Sequence, residues 1–382
     1  MKKVVVAIDS FKGSLSTFQA GEAIKEGIHQ VDKGVEVVIS PIADGGEGTV
    51  EAIISATKGE MVTTIVRNPL GKQISATYGW IPQTNTAIIE MSQAGGITLI
   101  TPEERNPLNT TTYGVGEMIL DAISKGCRNF VVGIGGSATN DGGVGMLQAL
   151  GFSFLDKEGR EVTLGAKGLC DIVEIKTEDA VKELSECSFY VACDVKNILC
   201  GDNGCSAVYG PQKGATPQMI QDMDSWLLNY ANLTKKVLPN ADATIPGTGA
   251  AGGLGFALLA YLNATLQSGI DLVMKETALE EHIIDADVVI TGEGRLDGQS
   301  YMGKAPVGVA KLAKKHHKPV IAFSGCVTKD AIICNEYGID AFFPIVRTPC
   351  GLEEAMNLEN AYSNLRDTVC QVFRLWYLAH KD

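Results

Sequence analysis

Both ends of this chain carry the rhythm of a buried strand followed by an amphipathic helix, and the middle does not. That asymmetry limits the fold more than any other feature. Lys3–Ile8 is a nearly continuous apolar, β-branched run, the pattern of a strand buried on both faces. Ser16–Gln30 has helical spacing, Val35–Ser40 reads as a second strand and Thr49–Thr57 as a second helix. Such a start implies a parallel sheet with helices on its faces. The rhythm returns near residue 270, with strands at Asp287–Thr291, Pro319–Ser324 and Asp340–Ile345 and a helix at Ala305–Lys315.

From Val62 to Ile89 the pattern changes to short alternating segments broken by turn residues such as Asn68-Pro69-Leu70-Gly71, which suggests antiparallel structure. Asn109–Lys125 reads as a helix and Asn129–Gly133 as a buried strand, with further strand candidates at Ser188–Asp194 and Ala207–Tyr209. The expected fold is α/β with two domains. Residues 1–74 and 266–382 would form a discontinuous Rossmann-like parallel-sheet domain, and residues 75–265 an inserted mixed α/β domain. Ligand would sit in the cleft between them, beyond the carboxyl ends of the strands.

A net charge of −13 argues against a nucleic-acid or anionic-membrane partner. No apolar stretch approaches the ~18 residues of a membrane span, and the N-terminal run stops at Asp9, short of an export signal. A soluble, cytoplasmic protein is expected. The ten cysteines are scattered without a C-x-x-C, and the five histidines form no metal-binding spacing. Reduced thiols are therefore expected, rather than a disulfide framework or a zinc site.

Of the 43 glycines, 19 cluster in loops at Gly45–Gly48, Gly133–Gly145, Gly210–Gly214, Gly249–Gly255 and Gly292–Gly303. Glycine lets successive backbone N–H groups converge on an anion, and a following helix N-terminus adds partial positive charge. Each cluster alone reads as a tight turn. Five of them, each with Asp, Lys or Ser/Thr in or beside it, point to phosphate handling. Gly247–Gly252 matches G-x-G-x-x-G without a preceding strand, and Gly133–Ala138 matches G-x-G-x-x-A without an immediate helix. Gly298–Ala305 has P-loop spacing, but Ala305 stands where the metal-binding hydroxyl belongs. Lys304, at the start of that helix, reads equally as a phosphate contact or a solvated cap.

Seven acids lie at strand ends or in these loops: Asp9, Asp44, Glu47, Asp141, Asp194, Glu293 and Asp297. A carboxylate beside a phosphate cradle is repulsive unless it binds Mg²⁺, accepts a substrate hydroxyl or takes that hydroxyl's proton. Helix capping would account for some of the seven. Lys12 and Lys213 sit in similar loops, suited to neutralising a carboxylate or a phosphate.

Six segments carry a resemblance: Asp9-Ser10-Phe11-Lys12-Gly13-Ser14, Ala43–Thr49, Gly135–Gly143, Gly210–Ala215, Thr291–Asp297 and Gly303-Lys304-Ala305-Pro306. In these the chain resembles the bacterial glycerate kinases that form 2-phosphoglycerate. It departs from that pattern at Ile198, where the family has proline. The resemblance implies the same two-domain α/β fold, ATP with Mg²⁺, and D-glycerate in the interdomain cleft. Asp194 is then expected as base or hydroxyl orienter, with Asp44 and Asp141 as rivals. Asp9, Ser10, Lys12, Ser14, Glu47, Arg295 and Asp297 would serve glycerate. Gly135, Gly136, Ser137, Thr139, Asn140, Gly142, Gly143, Lys213, Gly214, Glu293 and Lys304 would serve the nucleotide, and Asp141 and Glu293 the Mg²⁺. Two other readings stand beside this one. One is an NAD-dependent oxidoreductase of a small hydroxy acid, the other a non-catalytic sugar-acid binding protein. A homodimer is left open.

Overall fold

The computed structural model describes residues 1–46 and 48–379, so Glu47 lies outside the described residues. Its strands, in chain order, begin with β1 (Lys3–Val6), β2 (Glu36–Ile39), β3 (Glu60–Arg67), β4 (Gln73–Ile81) and β5 (Thr86–Glu90). They continue with β6 (Asn129–Gly133), β7 (Ser153–Leu155), β8 (Glu174–Lys176), β9 (Ser188–Ala192) and β10 (Thr265–Gln267). The last three are β11 (Val288–Leu296), β12 (Val320–Val327) and β13 (Ala341–Pro344). The chain divides into two compact units, the first made of Met1–Asp44, Glu51–Thr57 and everything from Ile270 onward, the second of Gly45–Val50 and Lys58–Gly269.

The first unit is a five-stranded sheet in the order β2-β1-β11-β12-β13, parallel throughout. Helix Thr17–His29 starts where Ser16 and Gln19 cap each other, Ser16 Oγ accepting from the Gln19 amide at 3.2 Å and Gln19 Oε1 from the Ser16 amide at 2.9 Å. Its apolar stripe (Ala20, Ala23, Ile24, Ile28) joins Val4 and Val6 of β1 and Leu365, Val369 and Phe373 of helix Leu358–Ala379 in one core. Helix Ala305–Lys315 buries Val307, Val309, Ala310 and Ala313 and packs on β11. The chain lays β2 on one side of β1 and β11 on the other, so the direction of winding reverses between β1 and β11. A crevice opens at the carboxyl ends of the strands at such a point.

The sequence ends β11 at Thr291 and places Gly292–Gly303 in a loop. In the structure the pairing with β12 runs on to Leu296 opposite Val327. Glycine permits this: a Cβ at Gly292 would stand 1.8 Å from the Phe323 carbonyl oxygen, so only a bare backbone fits. Glu293 and Arg295 are thereby held on a rigid strand rather than a loop.

The second unit is a mixed sheet in the order β3-β4-β5-β6-β9-β10, with β5, β6, β9 and β10 parallel and β3 and β4 antiparallel, beside a small β7–β8 pair. Helix Tyr113–Ser124 covers one face, packing Val115, Met118, Ile119 and Ala122 with Tyr78, Ile89, Phe130 and Val132. The expected boundary at 74/75 leaves Glu60–Arg67 in the first domain, but β3 pairs along its whole length with β4 in the second sheet. The change from βα rhythm to two-residue alternation at Glu60 marks the transition better than the turn at residue 70. Ala207–Tyr209, expected as strand, lies in helix Cys205–Tyr209, because a short apolar run has no period long enough to distinguish the two.

The α/β class and the parallel-sheet unit built from both chain ends are as the sequence implies.

Candidate active site

In the first unit a pocket of about 500 Å³ opens at the carboxyl edge of the sheet, and its polar side is set by strand ends. Asp9 follows β1, Asp44 follows β2, and Glu293, Arg295 and Asp297 project from β11 and its exit. Asp9 is 5% exposed. Burial, then repulsion from Asp44 and from Glu293, outweighs the Ser10 amide and Lys12 and pushes its carboxyl up to about 7. Lys12 Nζ lies 3.3 Å from Asp44, and although burial opposes it, Asp44 and Asp9 hold its amine above the ordinary lysine value. Glu293 accepts from Ser300 Oγ at 2.6 Å and faces Lys304 at 3.5 Å. Burial raises its carboxyl, with Ser300 and Lys304 pulling the other way. Asp297 sits 3.4 Å from Arg295 and 3.6 Å from Lys304. Ser14 Oγ is buried in the pocket wall and makes no hydrogen bond among the described residues.

In the second unit the loop after β6 divides in two. Gly135 and Gly136 are exposed, whereas Thr139, Asn140, Asp141, Gly142 and Gly143 are interior. Gly45 and Gly46 lie over the same edge, close enough that a Cβ on Gly45 would meet Ala192 at 2.7 Å. Lys213 is 2% exposed, its Nζ donating to Ser137 Oγ at 2.9 Å and to the Thr139 carbonyl at 2.6 Å. Burial lowers its pKa to about 8, with Cys205 and Asp141 opposing. The ammonium thus supports the loop from beneath and adds positive charge below Gly135–Ser137. Asp194, just past β9, is exposed and accepts from the Gly269 amide at 3.1 Å.

Several expected contacts turn out to be internal. Asp141, proposed as base and as Mg²⁺ ligand, is fully buried. Its Oδ2 accepts from the Thr112 amide (2.8 Å), Thr112 Oγ1 (2.9 Å), Thr111 Oγ1 (3.3 Å) and the Gly145 amide (3.3 Å), and its Oδ1 from the Gly143 amide (3.2 Å). Burial raises its carboxyl and these donors lower it. Five donors leave it nothing to offer a metal or a substrate, so it organises the loop. Replacing Asp141 by Ala is expected to cost ~3 kcal/mol or more, because five buried donors lose a charged acceptor; urea unfolding measures this. Gly143 packs on Ala257, and a Cβ at Gly214 would stand 2.2 Å from the Arg105 carbonyl oxygen. Those glycines serve close packing rather than a phosphate. Lys304, at the head of helix Ala305–Lys315, is paired with two carboxylates and is not a P-loop lysine.

The glycerate kinase family model matches residues 4–377. The chain belongs to the glycerate kinase family. It is 47% identical to the glycerate 2-kinase of Escherichia coli K12 over 95% of each chain, and 44% identical to the glycerate kinase of Haemophilus influenzae over 98% of each. A crystal structure assigned to glycerate kinase 2 of Salmonella typhimurium LT2 superposes with a TM-score of 0.91 at 44% identity, covering 99% of both chains.

Within this glycerate kinase scaffold, three sets of residues escape a motif search. Thr111 and Thr112 hold Asp141, and the signal was the run Thr110-Thr111-Thr112 placed before a helix. Ser300 orients Glu293 from inside the near-match to a P-loop. The apolar side of the pocket comes from Phe11, Ile345, Leu352, Ala355 and Met356, with Asn364 beside them. Most of these lie in the last forty or so residues, where no pattern in the sequence suggests chemistry.

Proposed function

We propose that this protein is a cytoplasmic kinase that transfers the γ-phosphoryl group of ATP to a hydroxyl of D-glycerate, giving 2-phosphoglycerate and ADP. Membership of the family supports the donor and the acceptor, and the name of the E. coli relative supports the 2-position. Among the described residues no helix is long and apolar enough to cross a membrane. The observation that carries the reading is the buried Asp9 beside Lys12 in a pocket at the carboxyl edge of a parallel sheet. Phosphoryl transfer needs positioning, charge neutralisation and an acceptor for the hydroxyl proton. A buried carboxylate titrating near 7 suits the last duty, because a general base works best when its pKa lies near the working pH. Lys12, Ser10 and Ser14, which line the pocket with Asp9, would hold the acceptor's carboxylate, and the exposed Gly135–Gly136 segment would receive phosphate.

The residues do not fit a protein-held Mg²⁺ at Asp141 and Glu293. Asp141 is saturated, Glu293 is engaged by Ser300 and Lys304, and no three potential ligands converge among the described residues. Magnesium therefore enters the proposal only as the counter-ion that ATP carries. The loop after β6 runs from Ile134 to Gly143 before helix Val144–Ala149 begins, which counts against a dinucleotide-binding oxidoreductase.

³¹P NMR of the protein with ATP, Mg²⁺ and D-glycerate tests the reading. A phosphomonoester signal appearing with ADP, its proton coupling diagnostic of the 2-position, supports it. Untouched ATP overturns it and leaves the binding-protein alternative. Asp194→Asn retaining wild-type kcat in the same assay removes Asp194 as the base.

A further inference from the structure

The pocket of the first unit is larger and more apolar than glycerate requires. Glycerate has seven non-hydrogen atoms, each an oxygen or a carbon bonded to one, and it offers nothing to an apolar wall. Yet one side of the 500 Å³ pocket is built from Phe11, Ile345, Leu352, Ala355 and Met356. Leu352 is 77% exposed at the start of helix Leu352–Met356, although it could have been polar without loss to the core. Beside this wall stands Asn364, half-buried on helix Leu358–Ala379, whose side-chain amide makes no hydrogen bond among the described residues.

Of the two substrates in the proposed reaction, only one has an apolar, planar part. We propose that this wall binds the adenine of ATP, with the Asn364 amide reading the edge of the base. The inference rests on the kinase reading above. A purine presents two flat faces for contact with Leu352 and Met356, and its edge offers a donor beside an acceptor. On the edge that carries N7, adenine offers its N6 donor beside the N7 acceptor whereas guanine offers two acceptors, so a side-chain amide, with a donor NH₂ beside an acceptor oxygen, matches adenine there and mismatches guanine. Binding sites of this size combine an apolar lining with a few polar groups in just this division of labour. The polar side of the same pocket, with Asp9 and Lys12, remains for the acceptor.

The test is steady-state kinetics with both substrates varied, on the full-length protein and on Leu352→Glu and Asn364→Ala. Leu352 is exposed, so its replacement leaves the core intact. The expected result for Leu352→Glu is a KM for ATP raised at least tenfold with the KM for D-glycerate within twofold of wild type. For Asn364→Ala the preference for ATP over GTP is expected to fall about tenfold. A change in the glycerate KM with the ATP KM unmoved overturns the assignment, as does an unchanged ATP/GTP ratio. Calorimetric titration with adenosine, which carries no phosphate, separates this failure from that of the kinase reading. If wild type makes no phosphoglycerate but binds adenosine, and Leu352→Glu binds it at least tenfold more weakly, the wall stands and the acceptor is wrong. If wild type turns glycerate over but adenosine neither binds nor competes with ATP, the wall is wrong and the kinase stands.

Discussion

Replacing Lys213 by Met is expected to cut kcat/KM roughly a thousandfold, as loss of one preorganised electrostatic group in an active site does, while leaving the protein folded. The two effects separate because the ammonium is a poor contributor to stability. Its pKa falls from 10.5 to about 8 on burial, so at neutral pH the charge costs the folded state about 3 kcal/mol. Against that stand its two hydrogen bonds, to Ser137 Oγ and the Thr139 carbonyl, together worth ~2–4 kcal/mol. The net change at pH 7 should lie within ~2 kcal/mol. The sign of its pH dependence follows from which state holds more protons. Between about 8 and 10.5 the unfolded chain keeps the proton that the folded one has lost, so wild type gains stability relative to the variant as pH rises through that window. Urea unfolding at pH 7 and pH 10 with kinetics at pH 7 measures all three quantities. A variant with undiminished kcat/KM would show that the charge beneath Gly135–Ser137 has no part in turnover.

Asp9→Asn should lower kcat/KM by roughly 10²–10⁴, the usual contribution of a general base. It should also make the protein more stable in alkaline solution. Here the folded pKa is raised, from 3.8 to about 7. Between those values the folded state holds a proton that the unfolded chain has released, so wild-type stability falls as pH rises through the window. Above about pH 7 the full cost is present, up to about 4 kcal/mol. Asparagine does not titrate and its Oδ1 can still accept from the Ser10 amide, which bonds Asp9 Oδ1 at 2.6 Å in the native chain. The variant should therefore exceed wild type in Tm at pH 8 and match it near pH 4. The wild-type kcat/KM profile should carry an acid limb near pH 7 that the variant lacks. A Tm difference independent of pH would show that Asp9 is not held in the protonated form, and would remove it as the base.

The positions of the candidate groups along the chain were legible before the fold was known, but their roles were less so. Asp9, Lys12, Ser14, Glu293, Arg295 and Asp297, far apart in sequence, do line one pocket. They do so because each follows or ends a strand of one parallel sheet, and strand ends at a winding reversal share an edge. Asp141 lies in the same kind of glycine loop and looks identical in sequence. It is a structural acceptor only because Thr111 and Thr112, some thirty residues earlier, fold over it. Gly142 and Gly143 belong to a phosphate-like motif yet serve close packing, since Tyr230 and Ala257 crowd them from distant helices. The Leu352–Met356 wall and Asn364 had no signal at all, because an exposed leucine and a lone asparagine are ordinary surface residues until a pocket is drawn around them.

What the amino-acid order determined by itself was local and periodic. It specified which segments bury one face or both, where glycine permits sharp turns, and that the βα rhythm occupies both ends of the chain. Those properties follow from side-chain spacing and backbone sterics within a few residues. Only the tertiary structure decided which acids are solvated, which are paired and which are consumed. Burial, which raises Asp9 and lowers Lys213, and charge proximity, which raises Asp9 further and opposes the shift at Lys213, are set largely by neighbours far away in the chain.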